Sequence, residues 1–240
     1  MFRVQDYAER KLPIQCTAHR GFSGRFPENT LLAFRKAVEV GADLIECDIR
    51  TTKDGELVVF HDEDLLRMAG RPERIEDLPF EELRKLDLGM GQTVPAFEEV
   101  LEAVGGRIGM NLHVYRPGEL VDRVVEMCRD AGVLDSTFLA IAWDDEIRRV
   151  RSQYPDIWVC SLYRQGEPEF AEANIPLGVR LLQPAHRVLT PERVQAAHRA
   201  GMVMGVFYGN TYTDYRWLAR LGADGILTDF PDAFLEALRR

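Results

Sequence analysis

The sequence lacks any run approaching the roughly 20 uncharged apolar residues that a membrane span requires. Its opening, MFRVQDYAERKLPIQ, is charged where a secretory signal would carry its apolar region. A soluble, cytoplasmic protein with no membrane span is the expectation. An excess of positive charge is also missing: 30 Lys and Arg against 39 Asp and Glu leave a formal net charge of -9. That argues against nucleic acid or an anionic membrane as the main partner, and any anionic ligand must be attracted locally. There is no C-x-x-C pair. Cys16, Cys47, Cys128 and Cys160 are scattered through apolar segments, which excludes zinc-finger spacing and a disulfide framework and suits buried thiols in a reducing compartment. No linker rich in Pro, Gly or Ser divides the chain. One domain spanning 1–240 is therefore expected.

What remains is 240 residues, 46% of them hydrophobic, enough to bury a large core and exclude disorder or a fibrous repeat. Short apolar runs of strand length alternate with helical patterns that stop at glycine, as in AFRKAVEVGADLIECDI (33–49) and YRWLARLGADGILTD (215–229). Asn29, Asp144 and Thr190 suit helix N-caps or first turns. Candidate strands fall at 14–18, 43–50, 57–61, 108–114, 137–142, 157–162, 179–183, 203–208 and 225–228. Nine is one too many for a (β/α)8 TIM barrel. Asp54-Gly55 resolves the count, because it is a two-residue hairpin signal that makes 57–61 an antiparallel return strand. Pairing Lys53 with Glu56 then predicts Asp48 opposite His61. The irregular span 62–95, with a short helix at FEELRKL and a turn at GMGQ, reads as an insertion at the barrel rim, where a cap would sit.

His19, His61 and His113 fall at predicted strand ends, and barrel enzymes build their sites there. Glu46 and Asp48 are two residues apart on one strand and so share a face. His186 reads as a rim residue and His198 as a helix-surface one.

The stretch AHRGFSGRFPENTLLAFRKAVEVGADLIECDIRTTKDGELVVFHDEDLLR resembles the N-terminal signature of the glycerophosphodiester phosphodiesterases, which have this barrel fold. The likeness continues through VPAFEEVL (94–101), LTPERVQAAHRAG (189–201) and GADGILTDFPD (222–232), and so covers nearly the whole chain. The resemblance implies a metal-dependent enzyme that hydrolyses a glycerophosphodiester to glycerol 3-phosphate and an alcohol. It implies His19 and His61 as acid and base, Arg20 on the phosphate, and Glu46 and Asp48 on one divalent metal, Mg or Ca. Two histidines can share the proton transfers of such a reaction near neutral pH, while metal and guanidinium neutralise the diester's charge. It further implies that the neighbouring glycerol hydroxyl attacks first.

The strand reading MNLHVY departs from the family pattern, which has a ligating glutamate where His113 stands and a phosphate-binding lysine where Tyr115 stands. In one reading His113 still ligates, shifting preference toward Mn, Zn or Fe, and Tyr115 donates to phosphate. In the other, the barrel binds phosphodiesters without cleaving them. Phe207 keeps an aromatic wall where the family has tryptophan. A phosphodiesterase or lyase acting on a lysophospholipid or a sugar phosphodiester is a further alternative, with Leu65, Leu66 and Met68 of the cap available to an alkyl chain or to a small core of their own. A homo-oligomer is left open.

Overall fold

The computed structural model describes residues 2–238. Its strands are β1 (Gln15–Ala18), β2 (Leu44–Thr51), β3 (Leu57–Val59), β4 (Gly109–Val114), β5 (Thr137–Ile141), β6 (Trp158–Ser161), β7 (Leu181–Leu182), β8 (Val203–Val206) and β9 (Gly225–Thr228). Sheet order is β1-β9-β8-β7-β6-β5-β4-β2-β3, and β1 also pairs with β2. That last pairing closes a barrel of parallel strands, leaving β3 as an antiparallel appendage to β2. Helices lie between the strands, giving the expected (β/α)8 architecture.

Local chemistry sets each joint. The helix Leu31–Val40 starts at Thr30, whose hydroxyl accepts from the Ala33 N–H, and stops at Gly41 in the left-handed region. Its buried stripe of Ala33, Phe34 and Ala37 packs on the barrel, and the apolar cluster between helices and strands is the main core. Burying a side chain such as Phe34 contributes on the order of 1.5–3 kcal/mol. A second cluster, in which Phe2, Val4 and Tyr7 meet Leu44, Phe138 and Val203, seals the barrel end opposite the strands' C-termini. Of the marked helix starts, Thr190 caps its helix and Asp144 opens the first turn after Trp143, but the cap beside Asn29 is Thr30.

The hairpin also closes differently. Ile49 pairs with Val59 and Thr51 with Leu57, so Asp48 lies opposite Phe60, whose N–H donates to the Asp48 carbonyl, and not opposite His61. The loop holds three residues, Lys53, Asp54 and Gly55, because Thr52 and Glu56 bond across it while the Thr52 hydroxyl accepts a second bond from the Glu56 N–H. Gly55, at φ 86°, takes the left-handed position such a loop demands. A one-residue slip would normally turn His61 to the other face. Here the β3 ladder ends at Val59, and His61 leaves the sheet before that alternation applies.

Residues 62–95 form short helices at Leu66–Ala69 and Phe80–Leu83 around an apolar cluster of their own, in which Phe60, Leu65, Ile75, Leu83, Leu88 and Val94 are buried. Met68 packs against it, and Leu66 is exposed. Among the described residues, no helix is long and apolar enough to cross a membrane.

Candidate active site

Strand register builds the centre of the site. In the β2–β4 pair, Asp48 stands beside His113 and Glu46 beside Asn111, so alternation aims Glu46, Asp48 and His113 into the same end of the barrel. One ligand atom from each lies within 4.8 Å of the others, and both carboxylates are buried. His113 Nδ1 is 3.4 Å from Asp48 Oδ1. Burial and the adjacent Asp48 charge push the Glu46 carboxyl well above the usual range. Burial acts on Asp48 in the same sense, but the neighbouring His113, His61 and Arg20 outweigh it and hold that carboxyl below the usual range.

Three side chains brace this pair from outside. The turn after β1 places Arg20 and Gly21 at positive φ, which presents the Arg20 N–H to Glu46 Oε2 at 3.0 Å. A Cβ on Gly21 would lie 2.8 Å from Ala33 atoms, so only glycine fits the turn. Asn29, itself at positive φ, donates through Nδ2 to Asp48 Oδ2 at 2.7 Å, and the Tyr115 hydroxyl donates to Asp48 Oδ1 at 2.8 Å. Burial, then the charges of Asp48 and Glu46, raise the Tyr115 pKa, keeping the phenol a donor. The Arg20 guanidinium bonds to Glu28 at 2.8 Å and approaches Asp48 at 3.6 Å, while its buried Nε has no hydrogen-bond partner.

Two histidines, each held by an aspartate, complete the arrangement. His19 Nδ1 is 2.7 Å from Asp229 Oδ1, and Asp229 also accepts from Asn210 at 2.6 Å and Ser23 at 3.1 Å. His61 Nδ1 is 2.6 Å from Asp62 Oδ1, with Arg67 donating to the other Asp62 oxygen at 2.7 Å. Burial raises both aspartates, but these donors prevail and hold both carboxyls below the usual range. Nδ1 is engaged in each ring, and both rings line the same cavity. Phe207 meets His19 edge-on at 5.5 Å.

All eight sequence-derived residues, His19, Arg20, Glu46, Asp48, His61, His113, Tyr115 and Phe207, line one cavity at the C-terminal ends of the strands. Residues 19–233 match the model of the glycerophosphoryl diester phosphodiesterase family. The chain belongs to this family. A Bacillus altitudinis glycerophosphodiester phosphodiesterase is 32% identical, over 90% of this chain and 94% of its own. One from Caldanaerobacter subterraneus subsp. tengcongensis is 29% identical, over 93% and 97%. The structure of an Oleispira antarctica phosphodiesterase in complex with its product sn-glycerol-3-phosphate superposes with a TM-score of 0.87 at 25% identity, covering 97% of this chain and 99% of that one. Membership makes the chain a phosphoric diester hydrolase by class.

The glycerophosphoryl diester phosphodiesterase site holds more than sequence reasoning found. Asp229 lies in the TDFPD segment and Asp62 follows His61 directly, yet neither was singled out. Glu28, which no motif marks, pairs with Arg20 and Arg67, and Asn29, read only as a helix-start residue, serves Asp48. Tyr115, expected to donate to phosphate, spends its hydroxyl on Asp48. Gln165 and Gln183 line the cavity without any motif to mark them. His186 is exposed at the rim, and its ring faces Tyr208 at 6.5 Å. His198 is not a free surface residue, because Nε2 lies 3.0 Å from Asp224 at the far end of the barrel.

Proposed function

We propose that the chain hydrolyses glycerophosphodiesters to glycerol 3-phosphate and an alcohol, with His19 and His61 exchanging the protons. The observation that carries this reading is the pair of His–Asp contacts opening on one cavity beside the Glu46–Asp48–His113 cluster. One histidine takes through Nε2 the proton of the neighbouring glycerol hydroxyl as it attacks phosphorus, and the other, carrying a proton on Nε2, delivers it to the leaving alcohol; water then opens the cyclic phosphate with the two roles reversed, giving glycerol 3-phosphate. Asp229 and Asp62 each accept from Nδ1–H, so Nε2 is the atom that takes up or gives up the proton. Arg20, whose buried Nε faces Asp48 at 3.6 Å without a hydrogen bond, supplies positive charge to the phosphate. Phe207 and the Tyr115 ring wall the substrate.

The donor set fits a divalent ion. Two buried carboxylates repel one another, as the raised Glu46 carboxyl records, and a cation held with His113 relieves that repulsion. An imidazole beside two carboxylates favours Mn, Zn or Fe over Mg or Ca. When bound, the ion neutralises phosphate charge as a Lewis acid. We read 62–95 as the cap of a single domain. Its Leu65 and Met68 serve the cap's own core, so only Leu66 of the three is left for an alkyl chain, which favours compact alcohols over lysophospholipids. Four cysteines buried in apolar surroundings support a cytoplasmic location.

The test is turnover of a glycerophosphodiester panel with each divalent metal, run beside His19→Ala and His61→Ala. Each variant should lose about 10²- to 10⁴-fold in kcat, the usual contribution of a positioned acid or base. Wild type and variants equally inert with every metal would refute the reading.

A further inference from the structure

Arg50 follows Glu46 and Asp48 on β2 at the same two-residue spacing, so it shares their face, one step nearer the strand's end. Its guanidinium lies 4.2 Å from the Tyr115 ring centroid. Nε donates to the His61 carbonyl at 2.9 Å, and Nη2 donates to the same oxygen. Nearly every other arginine of the cap region is tied to a carboxylate: Arg67 to Asp62 and Glu28, Arg71 to Glu73, Arg74 and Arg116 to Glu76. Arg50 is the exception. Its guanidinium meets a carbonyl and an aromatic face, and both belong to residues that line the cavity.

This geometry has a mechanical consequence. His61 lies past the last β3 pairing, so no ladder bond fixes its backbone. Tyr115 lies one residue past the end of β4. Arg50 joins these two loose ends through one planar group. Two donors converge on the His61 carbonyl, while the cation's face holds the ring whose hydroxyl reaches Asp48. The His61 ring meets the Tyr115 ring edge-on at 5.8 Å, so the three groups form one stack.

We propose that Arg50 is a positioning residue, a clamp across the ends of β3 and β4 that holds His61 and Tyr115 in the arrangement used for turnover. The inference rests on the phosphodiesterase reading above. Arg50 does not line the cavity itself, so it should govern how fast bound substrate reacts more than how tightly it binds.

The experiment compares Arg50→Met, Arg50→Gln and Arg50→Lys with wild type in the metal-loaded enzyme, measuring kcat, KM and melting temperature for one glycerophosphodiester that wild type turns over. Arg50→Met should lower kcat about tenfold or more, because displacing a reacting group by an ångström can cost up to about 10²-fold. KM should change by less than about threefold, a smaller effect than on kcat, since Arg50 itself does not line the cavity. Arg50→Lys, which keeps a cation and a donor but not the planar fork, should recover part of the loss. Arg50→Gln keeps a planar donor without the charge or the second converging N–H and should resemble Arg50→Met; it also serves if the Met variant fails to fold. A kcat equal to wild type in folded Arg50→Met or Arg50→Gln would overturn the proposal. So would a rise in KM in place of a fall in kcat, or an Arg50→Lys as impaired as Arg50→Met. An inert wild type would refute the underlying reading instead, so the two failures are distinguishable.

Discussion

Replacing Asp229 with Asn changes one atom at the His19 contact and keeps its shape. Asp229 accepts from His19 through Oδ1 and from Asn210 through Oδ2. An amide has only one oxygen. If that oxygen keeps the Asn210 bond, the amide N–H₂ faces His19 Nδ1, which must then accept and carry its proton on Nε2. The ring would present a donor to the cavity where a lone pair is needed. The lost interaction is a hydrogen bond to a charged group at 2.7 Å, which contributes on the order of 1.5–3 kcal/mol. At about 1.36 kcal/mol per factor of ten, that is about a 10- to 150-fold loss of kcat, with the tautomer reversal adding to it. The assay is release of glycerol 3-phosphate below the melting transition, so that only folded enzyme is read. An undiminished kcat in folded Asp229→Asn would refute the reasoning and remove His19 from the proton-transfer pair.

Other expectations follow from single contacts. Asn29→Ala removes a donor from buried Asp48, and loss of such a supporting bond should weaken metal binding about 10- to 100-fold, read by titrating the metal-stripped protein. Gly21→Ala places a Cβ 2.8 Å from Ala33 at φ 79°, and should lower the melting temperature and activity together, because the turn that delivers the Arg20 N–H to Glu46 must shift. Acid should destabilise the fold in a definite window. Asp229 and Asp62 have folded pKa values below their unfolded ones, so the stability they contribute is present above the ordinary aspartate range and lost as pH falls through the lower, folded values. Urea midpoints across that range should fall with pH, and Asp229→Asn should flatten the slope. A slope unchanged in the variant would count against Asp229's part in it.

The fold was legible because it depends on repeated local signals: an apolar run, a helix and a glycine joint recur along the chain, and the extra strand betrays itself by Asp54-Gly55. The hairpin register was misread by one residue, since the rule for a two-residue loop ignores the Thr52 hydroxyl that closes a three-residue one. The site's inner residues were legible where motif and alternation agree, as at Glu46 and Asp48. Arg50 obeys the same alternation and could have been found by extending it two residues. Asp229 could not be assigned from spacing, because it comes from β9's end, 210 positions from His19, and meets it only through barrel closure between β1 and β9. Tyr115 lines the cavity, but its hydroxyl's partner, Asp48, depends on a rotamer that sequence does not encode.

In the proposed function, hydrolysis depends on one metal ion held by Glu46, Asp48 and His113. Titrating metal-stripped enzyme with Mn²⁺, with bound metal and turnover read on the same samples, should give one ion bound per chain, activity rising in step with occupancy, and neither in Asp48→Asn. Full turnover of a glycerophosphodiester by the metal-stripped enzyme would refute that dependence.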